Sequence, residues 1–142
     1  MLAEKLNKLE DMERLLRQIM AQSPNYYNAY NALGFSLADR NMRLPEAKQL
    51  IAQALALSPE DPFITDSLGW VEYRLGNLTA ALMHLQKAYE TRADPEIAAH
   101  LGEVLWRLKR QDEARRIWQE AQQVAPDNET LKETMQRLQP KR

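Results

Sequence analysis

A chain of 142 residues has the length of one domain, and its content of 44% hydrophobic and 27% charged residues is ordinary for a water-soluble globular protein. Its 19 basic and 20 acidic residues are mixed along the chain and leave a formal net charge of −1, which argues against nucleic acid or an anionic membrane as a partner. Because cysteine is absent and no apolar run reaches transmembrane length, we expect no disulfides, no thiolate chemistry and no membrane insertion.

The N-terminal segment, residues 1–24, has apolar residues three and four positions apart. This spacing predicts one amphipathic helix, or two helices with a turn near Asn7. The apolar residues are Leu6, Leu9, Met12, Leu15, Leu16, Ile19 and Met20.

Three pairs of helices are predicted to follow. We expect them near residues 26–39 and 45–57, 62–75 and 79–91, and 95–108 and 111–124. Asp61-Pro62 and Asp94-Pro95 each place a capping carboxylate before a proline that suits the first helical turn. A last helix carries Leu131, Met135 and Leu138 on one stripe, and we interpret it as a solvating cap.

A Leu-Gly pair recurs in the first helix of each predicted pair, at Leu33-Gly34, Leu68-Gly69 and Leu101-Gly102. Glycine inside a helix costs about 1 kcal/mol relative to alanine, so the recurrence needs a packing reason. Each second helix carries two alanines seven residues apart: Ala47 and Ala54, Ala81 and Ala88, Ala114 and Ala121. We therefore expect the paired helices to approach closely, with small residues facing small residues.

A period near 34 residues, with Leu-Gly in the first helix and two spaced alanines in the second, resembles the tetratricopeptide repeat (TPR). The second unit carries the pattern in the residues Leu68, Gly69, Ala81, Leu85 and Ala88, with Leu75-Gly76-Asn77 at its turn. The third unit departs from it, with Lys109-Arg110 where a turn glycine is expected. The early aromatic residue of the family is replaced by Thr65 and Ala98 in the second and third units.

This resemblance implies an all-α fold of antiparallel helix pairs, stacked as a right-handed superhelical solenoid of about seven helices. The units would be an N-terminal helix, as half a repeat or a cap, in residues 1–24, repeats in 25–60, 61–93 and 94–127, and a capping helix and tail in 128–142. The first helix matches the second helix of a pair, which indicates either a fragment of a longer protein or a native cap.

The stretches TDSLGWVEYR (65–74) and AAHLGEVL (98–105) also resemble the C-terminal part of longer bacterial TPR proteins. Some of those are lipoproteins that act as adaptors for proteases or for envelope assembly. Membership would place the chain in the periplasm at the outer membrane, and a cytoplasmic location is the alternative.

The family resemblance further implies a non-enzymatic adaptor that binds a peptide or helix of another protein, without a cofactor, in a groove lined by the first helices. The groove positions carry mixed aromatic, charged and amide side chains, which are typical of protein-recognition surfaces. These positions are Asn28, Asn31, Phe35 and Asp39, then Phe63, Asp66, Trp70, Tyr73 and Arg74, then Glu96, Ala99, His100, Glu103, Trp106 and Arg107. Helical spacing alone also predicts that Phe63, Asp66, Trp70 and Tyr73 share a face.

The charged groove positions allow a further expectation. The clamp with which chaperone-binding members of the family hold C-terminal carboxylates is not assembled in this sequence. Arg74 and Arg107, one repeat apart, are the residues that we expect to pair with acidic groups of a partner.

Three alternatives stay open at this point. Trp70, Tyr73 and Trp106 could be core residues that replace the absent early aromatics. A structural role would use a homodimer through Leu6, Leu9 and Met12 of the N-terminal helix. An enzyme or metal site would use Glu96, His100 and Glu103, which are spaced four and three apart on one helix.

Overall fold

The computed structural model describes the backbone of residues 2–139 and the side chains of residues 7–139. These residues form eight α-helices, and the all-α prediction is confirmed. The helices are α1 (Leu2–Gln22), α2 (Tyr27–Asp39), α3 (Leu44–Leu57), α4 (Pro62–Arg74), α5 (Leu78–Thr91), α6 (Pro95–Arg107), α7 (Gln111–Val124) and α8 (Glu129–Leu138). They correspond one to one to the N-terminal helix, the three helix pairs and the last helix that the sequence predicts individually, against the rounded expectation of about seven. Helix α1 is continuous, so no turn lies near Asn7.

The predicted helix starts are confirmed by hydrogen bonds. The carboxylate of Asp61 accepts from the backbone N–H of Phe63 at 2.8 Å, and that of Asp94 accepts from the N–H of Glu96 at 2.8 Å. Asn128 caps α8 through the N–H of Leu131 at 2.9 Å. Each bond satisfies an N–H group that the first helical turn leaves without a partner.

The turns of the second and third helix pairs have the same geometry, although only the second contains glycine. Gly76 has a φ of 90°, and Lys109, at the equivalent place in the next pair, has a φ of 68°. Both turns close with a six-residue backbone bond, from Asn77 N–H to Glu72 C=O and from Arg110 N–H to Leu105 C=O. The missing glycine of the third unit is therefore replaced by a lysine in the left-handed conformation.

The Leu-Gly pairs mark the closest approach of the paired helices. A Cβ atom built on Gly34 would lie 2.6 Å from Cγ1 of Ile51, and one built on Gly69 would lie 2.7 Å from Cγ of Leu85. At Gly102 the same atom would lie 2.0 Å from Nε1 of Trp118. The close approach is confirmed, but each glycine faces a large side chain that lies between the two alanines. Small residues also face small residues at the first two crossings, where the same Cβ atoms would lie 2.9 Å from the carbonyl of Ala47 and 3.2 Å from that of Ala81.

The helices lie in two layers. Helix α4 contacts α2, α6 contacts α4, and α8 contacts α6, so these four helices form one layer, called here the first-helix layer. Helices α3, α5 and α7 pack behind them. The apolar core has two clusters, one around Leu33, Ile51 and Trp70 and the other around Leu85 and Trp118.

Within residues 2–139, no helix combines the length and the apolar character that crossing a membrane requires.

Candidate functional site

A pocket of about 630 Å³ opens on the first-helix layer and is called here the first-helix pocket. All four helices of that layer line it. The lining residues are Asp39 from α2, Trp70 and Arg74 from α4, His100 and Glu103 from α6, and Glu129, Thr130, Glu133, Thr134 and Arg137 from α8.

One wall of the pocket is fixed by contacts between α2 and α4. Nε1 of Trp70 donates to Oδ1 of Asp39 at 3.1 Å, and Nη2 of Arg74 donates to the backbone carbonyl of Asp39 at 2.9 Å. The Arg74 guanidinium also lies 5.0 Å from the centre of the Trp70 ring, within cation–π range. Trp70 is only 3% exposed and belongs to the core, so it supports the pocket wall and offers a partner very little surface.

The floor of the pocket is a buried pair between α4 and α6. Nδ1 of His100 lies 2.8 Å from Oδ1 of Asp66, and both side chains are buried. The imidazole stacks on Trp70 at 4.3 Å and is tilted against Phe35 at 5.5 Å, both measured between ring centres. Burial opposes charge on the imidazole, but the Asp66 carboxylate outweighs it and raises the pKa of His100 overall. The pair therefore keeps a proton at a pH where a free imidazole would lose it.

A second buried carboxylate joins α6 to α4 and α8. The hydroxyl of Tyr73 donates to Oε2 of Glu103 at 2.7 Å, and Nη2 of Arg137 donates to Oε1 at 2.7 Å. Burial raises the pKa of Glu103, but these hydrogen bonds outweigh it and hold the pKa below the ordinary glutamate value. Tyr73 also accepts from Nε of Arg107 at 3.0 Å, so this tyrosine bridges a carboxylate and a guanidinium.

Glu96, at the start of α6, is the third residue of this helix with side-chain contacts to a neighbouring helix or to the residue that precedes it. It accepts from Nδ2 of Asn128 at 2.9 Å and from the hydroxyl of Thr130 at 3.0 Å. Glu96, His100 and Glu103, the candidates for an enzyme or metal site, are thus each hydrogen-bonded to different side chains. In the part of the chain that the structure describes, no group of three potential metal ligands converges.

These contacts form a polar ladder across the first-helix layer. Each rung joins side chains 30 to 35 residues apart, which is one repeat length. The buried carboxylates and the imidazole of the ladder have their partners inside the chain, which holds the pocket walls in one arrangement.

No family model matches the chain. A curated relative, TPR repeat-containing protein PA4667 of Pseudomonas aeruginosa, is 50% identical over 103 residues. The chain is a tetratricopeptide repeat protein. The matched region is 72% of this TPR chain and 18% of the relative, so the chain spans less than a fifth of the relative's length.

Solved TPR structures show the same fold. TTC0263, a thermophilic TPR protein of Thermus thermophilus, matches with a TM-score of 0.79 and 22% identity, over 94% of this chain and 74% of the other. YrrB, described as a TPR protein with an unusual peptide-binding site, matches with a TM-score of 0.61 and 22% identity, over 98% and 82% of the two chains. MamA matches with a TM-score of 0.67 and 15% identity, over 93% and 80%.

Several groove residues predicted for this TPR chain lie outside the first-helix pocket. Phe35 contacts His100 from one side, Asn28 is exposed, and Asn31 is half-buried with a buried Oδ1 that has no hydrogen-bond partner among the described residues. Phe63 lies at the start of α4 under the Arg92 guanidinium, 5.6 Å from its ring centre.

The prediction that Trp106 lines the groove is not matched by its position, because Trp106 is not among the residues that line the first-helix pocket. Its ring stacks on Trp118 of α7 at 5.6 Å, and the Arg115 guanidinium lies 5.2 Å from its centre. Trp106 therefore faces the second helix of its own repeat and does not face the pocket. The physical reason is Gly102, which admits the large Trp118 ring between α6 and α7 and so gives Trp106 an aromatic partner there.

The two predicted anchors for an acidic partner are also engaged within the chain. Nη2 of Arg74 lies 3.7 Å from Oδ1 of Asp39, and Arg107 donates to Tyr73. The Arg74 guanidinium is thus paired with a carboxylate of the chain, whereas Arg107 is hydrogen-bonded through its Nε atom to a neutral hydroxyl.

The contribution of α8 to the site was not predicted. Interpreted as a solvating cap, this helix instead supplies half of the residues that line the pocket. The repeat period carries the signal, because adding 34 to Glu96, His100 and Glu103 gives Thr130, Thr134 and Arg137. Helix α8 thus occupies the place of a first helix in a further repeat.

The residues of the predicted homodimer lie on α1. Leu9 and Met12 are half-buried and Leu15 is 57% exposed, whereas the side chain of Leu6 lies outside the described residues. Dimer formation stays a prediction, and the apparent mass in solution at two concentrations measures it.

Proposed function

We propose that this TPR chain is a non-enzymatic interaction module that binds a peptide or helix of a partner protein in the first-helix pocket. The observation that carries the proposal is a pocket of about 630 Å³ built by four helices of one layer. Its volume lies in the range of sites that hold one or a few side chains of a ligand.

The polar ladder favours binding because it organises the pocket in advance. Asp66, His100 and Glu103 are buried and hydrogen-bonded within the chain, so their side chains have already lost their freedom before a partner arrives. A preformed surface avoids much of the ordering cost that weakens association. The description of YrrB, a protein of the same fold, as peptide-binding supports this kind of ligand.

The absence of cysteine offers a direct test by site-specific cross-linking. A Glu133→Cys variant places the single thiol on the pocket rim, and a matched Glu90→Cys variant places it on α5, behind the first-helix layer. Both native side chains are exposed, and Arg137, which loses Glu133 as a partner, is still held by Glu103, so neither change should unfold the chain.

Each variant is labelled with a photoreactive maleimide and irradiated in an extract of cells that express the protein. We expect a partner to be cross-linked from position 133 and not from position 90, and an excess of unlabelled wild type should compete with it. Cross-linking of the same partner from position 90 alone would place the binding surface on the other layer. Trp70→Ala is unsuitable for this purpose, because removing a buried tryptophan costs about 3–5 kcal/mol of stability by itself.

A further inference from the structure

The charge of the first-helix pocket is unbalanced. Four carboxylates line it against two guanidiniums, which leaves an excess of two negative charges in a chain whose formal net charge is only −1. Beneath the pocket, protonated His100 compensates Asp66 and leaves this imbalance unchanged. Acidic charge is thus concentrated at the one concave surface that all four first-layer helices build.

Both guanidiniums of the pocket are paired with carboxylates that line the same pocket, and two of the four carboxylate charges remain uncompensated. Arg74 is held by Asp39, with Nη2 and Oδ1 at 3.7 Å. Arg137 is shared by Glu103 and Glu133, with N–O distances of 2.7 Å to each. An acidic ligand would have to displace these intramolecular partners before it gained a cation.

Three of the four carboxylates still have solvent-accessible oxygens at the pocket, although Asp39 is shared with Arg74 and Glu133 with Arg137. The side chains of Asp39, Glu133 and Glu129 are 53%, 61% and 90% exposed. Glu129 has only a distant contact, at 3.9 Å, with the Lys132 ammonium. Asp39 comes from α2, whereas both glutamates come from α8, so these oxygens lie on opposite walls.

We infer that the partner segment inserts a lysine or arginine side chain into the first-helix pocket, between Asp39 on one wall and Glu129 and Glu133 on the other. This inference rests on the proposed function and names the chemistry of its ligand. It reverses the sign of charge expected from the sequence, because Arg74 is paired with Asp39, Arg107 does not line the pocket, and carboxylates outnumber guanidiniums there. Since the three carboxylates are exposed, they attract the basic group with a strength that depends on salt.

The test begins with a library of random peptides displayed on phage and selected on the full chain. A selected peptide is then synthesised with a fluorescent label, and its dissociation constant is measured by anisotropy at low and at moderate salt. A second peptide carries norleucine in place of each lysine or arginine, which keeps the length of the side chain and removes its charge.

Two variants of the chain complete the design. Glu129→Gln/Glu133→Gln removes charge from the pocket and leaves Arg137 paired with Glu103. Glu60→Gln/Glu90→Gln removes the same charge elsewhere, at exposed side chains that make no hydrogen bond or ion pair within residues 7–139. Circular dichroism verifies that both variants are folded.

We expect basic residues to be enriched among the selected peptides. The pocket variant should weaken binding about fivefold and reduce its salt dependence, whereas the control variant should leave both unchanged. An affinity that is unchanged when norleucine replaces the basic residues of the peptide would overturn the inference and leave the groove function intact. The same conclusion would follow if only changes to apolar residues of the peptide reduced its affinity. Peptides whose binding blocks cross-linking from position 90 and not from position 133 would overturn the proposed function itself.

Discussion

Nδ1 of His100 and Oδ1 of Asp66 lie 2.8 Å apart in the buried interface between the second and third repeats, although 34 residues separate them in the sequence. Breaking one side of such a pair leaves a buried polar group without its partner, which is strongly destabilising. The pair therefore couples the stacking of the repeats to a proton.

The first prediction concerns pH. Because the pKa of His100 is raised above its ordinary value of 6.5, the stability that it contributes is complete below pH 6.5 and is lost as the pH rises through the folded pKa. We expect the difference in unfolding free energy between wild type and His100→Gln to shrink as the pH rises above 6.5. Urea unfolding at several pH values measures it, and the difference for the His84→Gln control should show no such decline. A constant difference across this range would contradict the prediction.

The second prediction concerns the stability that Glu13 of helix α1 contributes and its loss in acid. Hydrogen bonding to Arg43 is the largest influence on Glu13, burial opposes it, and Arg17 adds to it, so that the pKa of Glu13 falls from 4.5 to about 2. Arg43 immediately precedes α3 and Arg17 lies on α1, and both are more than 40% exposed, so solvent weakens the interaction. Glu13→Gln should melt roughly 2 °C below wild type near neutral pH, and the gap should close as the pH falls from 4.5 through 2. Thermal unfolding followed by circular dichroism tests this, with Glu10→Gln, an exposed residue of the same helix, as the control.

The third prediction concerns the glycines at the helix crossings. At Gly102 a Cβ atom would lie 2.0 Å from the Trp118 ring, whereas at Gly69 it would lie 2.7 Å from the more flexible Leu85. Gly102→Ala should lower the free energy of unfolding by about 3 kcal/mol and Gly69→Ala by about 1 kcal/mol. Adding Trp118→Leu to Gly102→Ala should recover part of the loss, because leucine fills the equivalent place in the preceding repeat. Equal losses of stability at the two glycines would contradict the greater cost that we assign to the contact with the tryptophan ring.

The fourth prediction concerns the turn residue Lys109. Its φ of 68° is costly for a residue with a Cβ atom and is natural for glycine. Lys109→Gly should raise the free energy of unfolding by about 0.5–1 kcal/mol, after the greater entropy of the unfolded glycine chain is counted. The reciprocal change, Gly76→Ala, should cost about 1 kcal/mol, since a Cβ atom there meets nothing within 4 Å and only the backbone conformation opposes it. Denaturant titration measures both, and a stabilising Gly76→Ala would refute this account.

The features that the sequence predicts well are those set within one helix. Asp61 and Asp94 cap their helices because a short carboxylate before a proline meets the free N–H groups of the first turn directly. The Leu-Gly spacing similarly predicts where two helices cross, since only glycine removes the side chain from the contact.

Features that depend on helix rotation are harder to predict. Spacing shows that residues share a face, but it does not show which neighbouring helix meets that face. Because successive side chains of an α-helix point 100° apart, moving by one residue changes the helix that a side chain faces. Trp106 is one turn beyond Gly102 and faces α7 for that reason. Arg137 finds its partner, Glu103, one repeat earlier, and only extending the 34-residue period into α8 would have related them.

The polar ladder also determines which repeats can be neighbours. Asp66 has its histidine only because the third repeat follows the second, and Glu103 has its guanidinium only because α8 follows the third. If the second and third repeats exchanged places, these carboxylates would be buried against helices that offer no matching donor. The repeats of this array are therefore not interchangeable modules, and their order along the chain is encoded in the pairs between them.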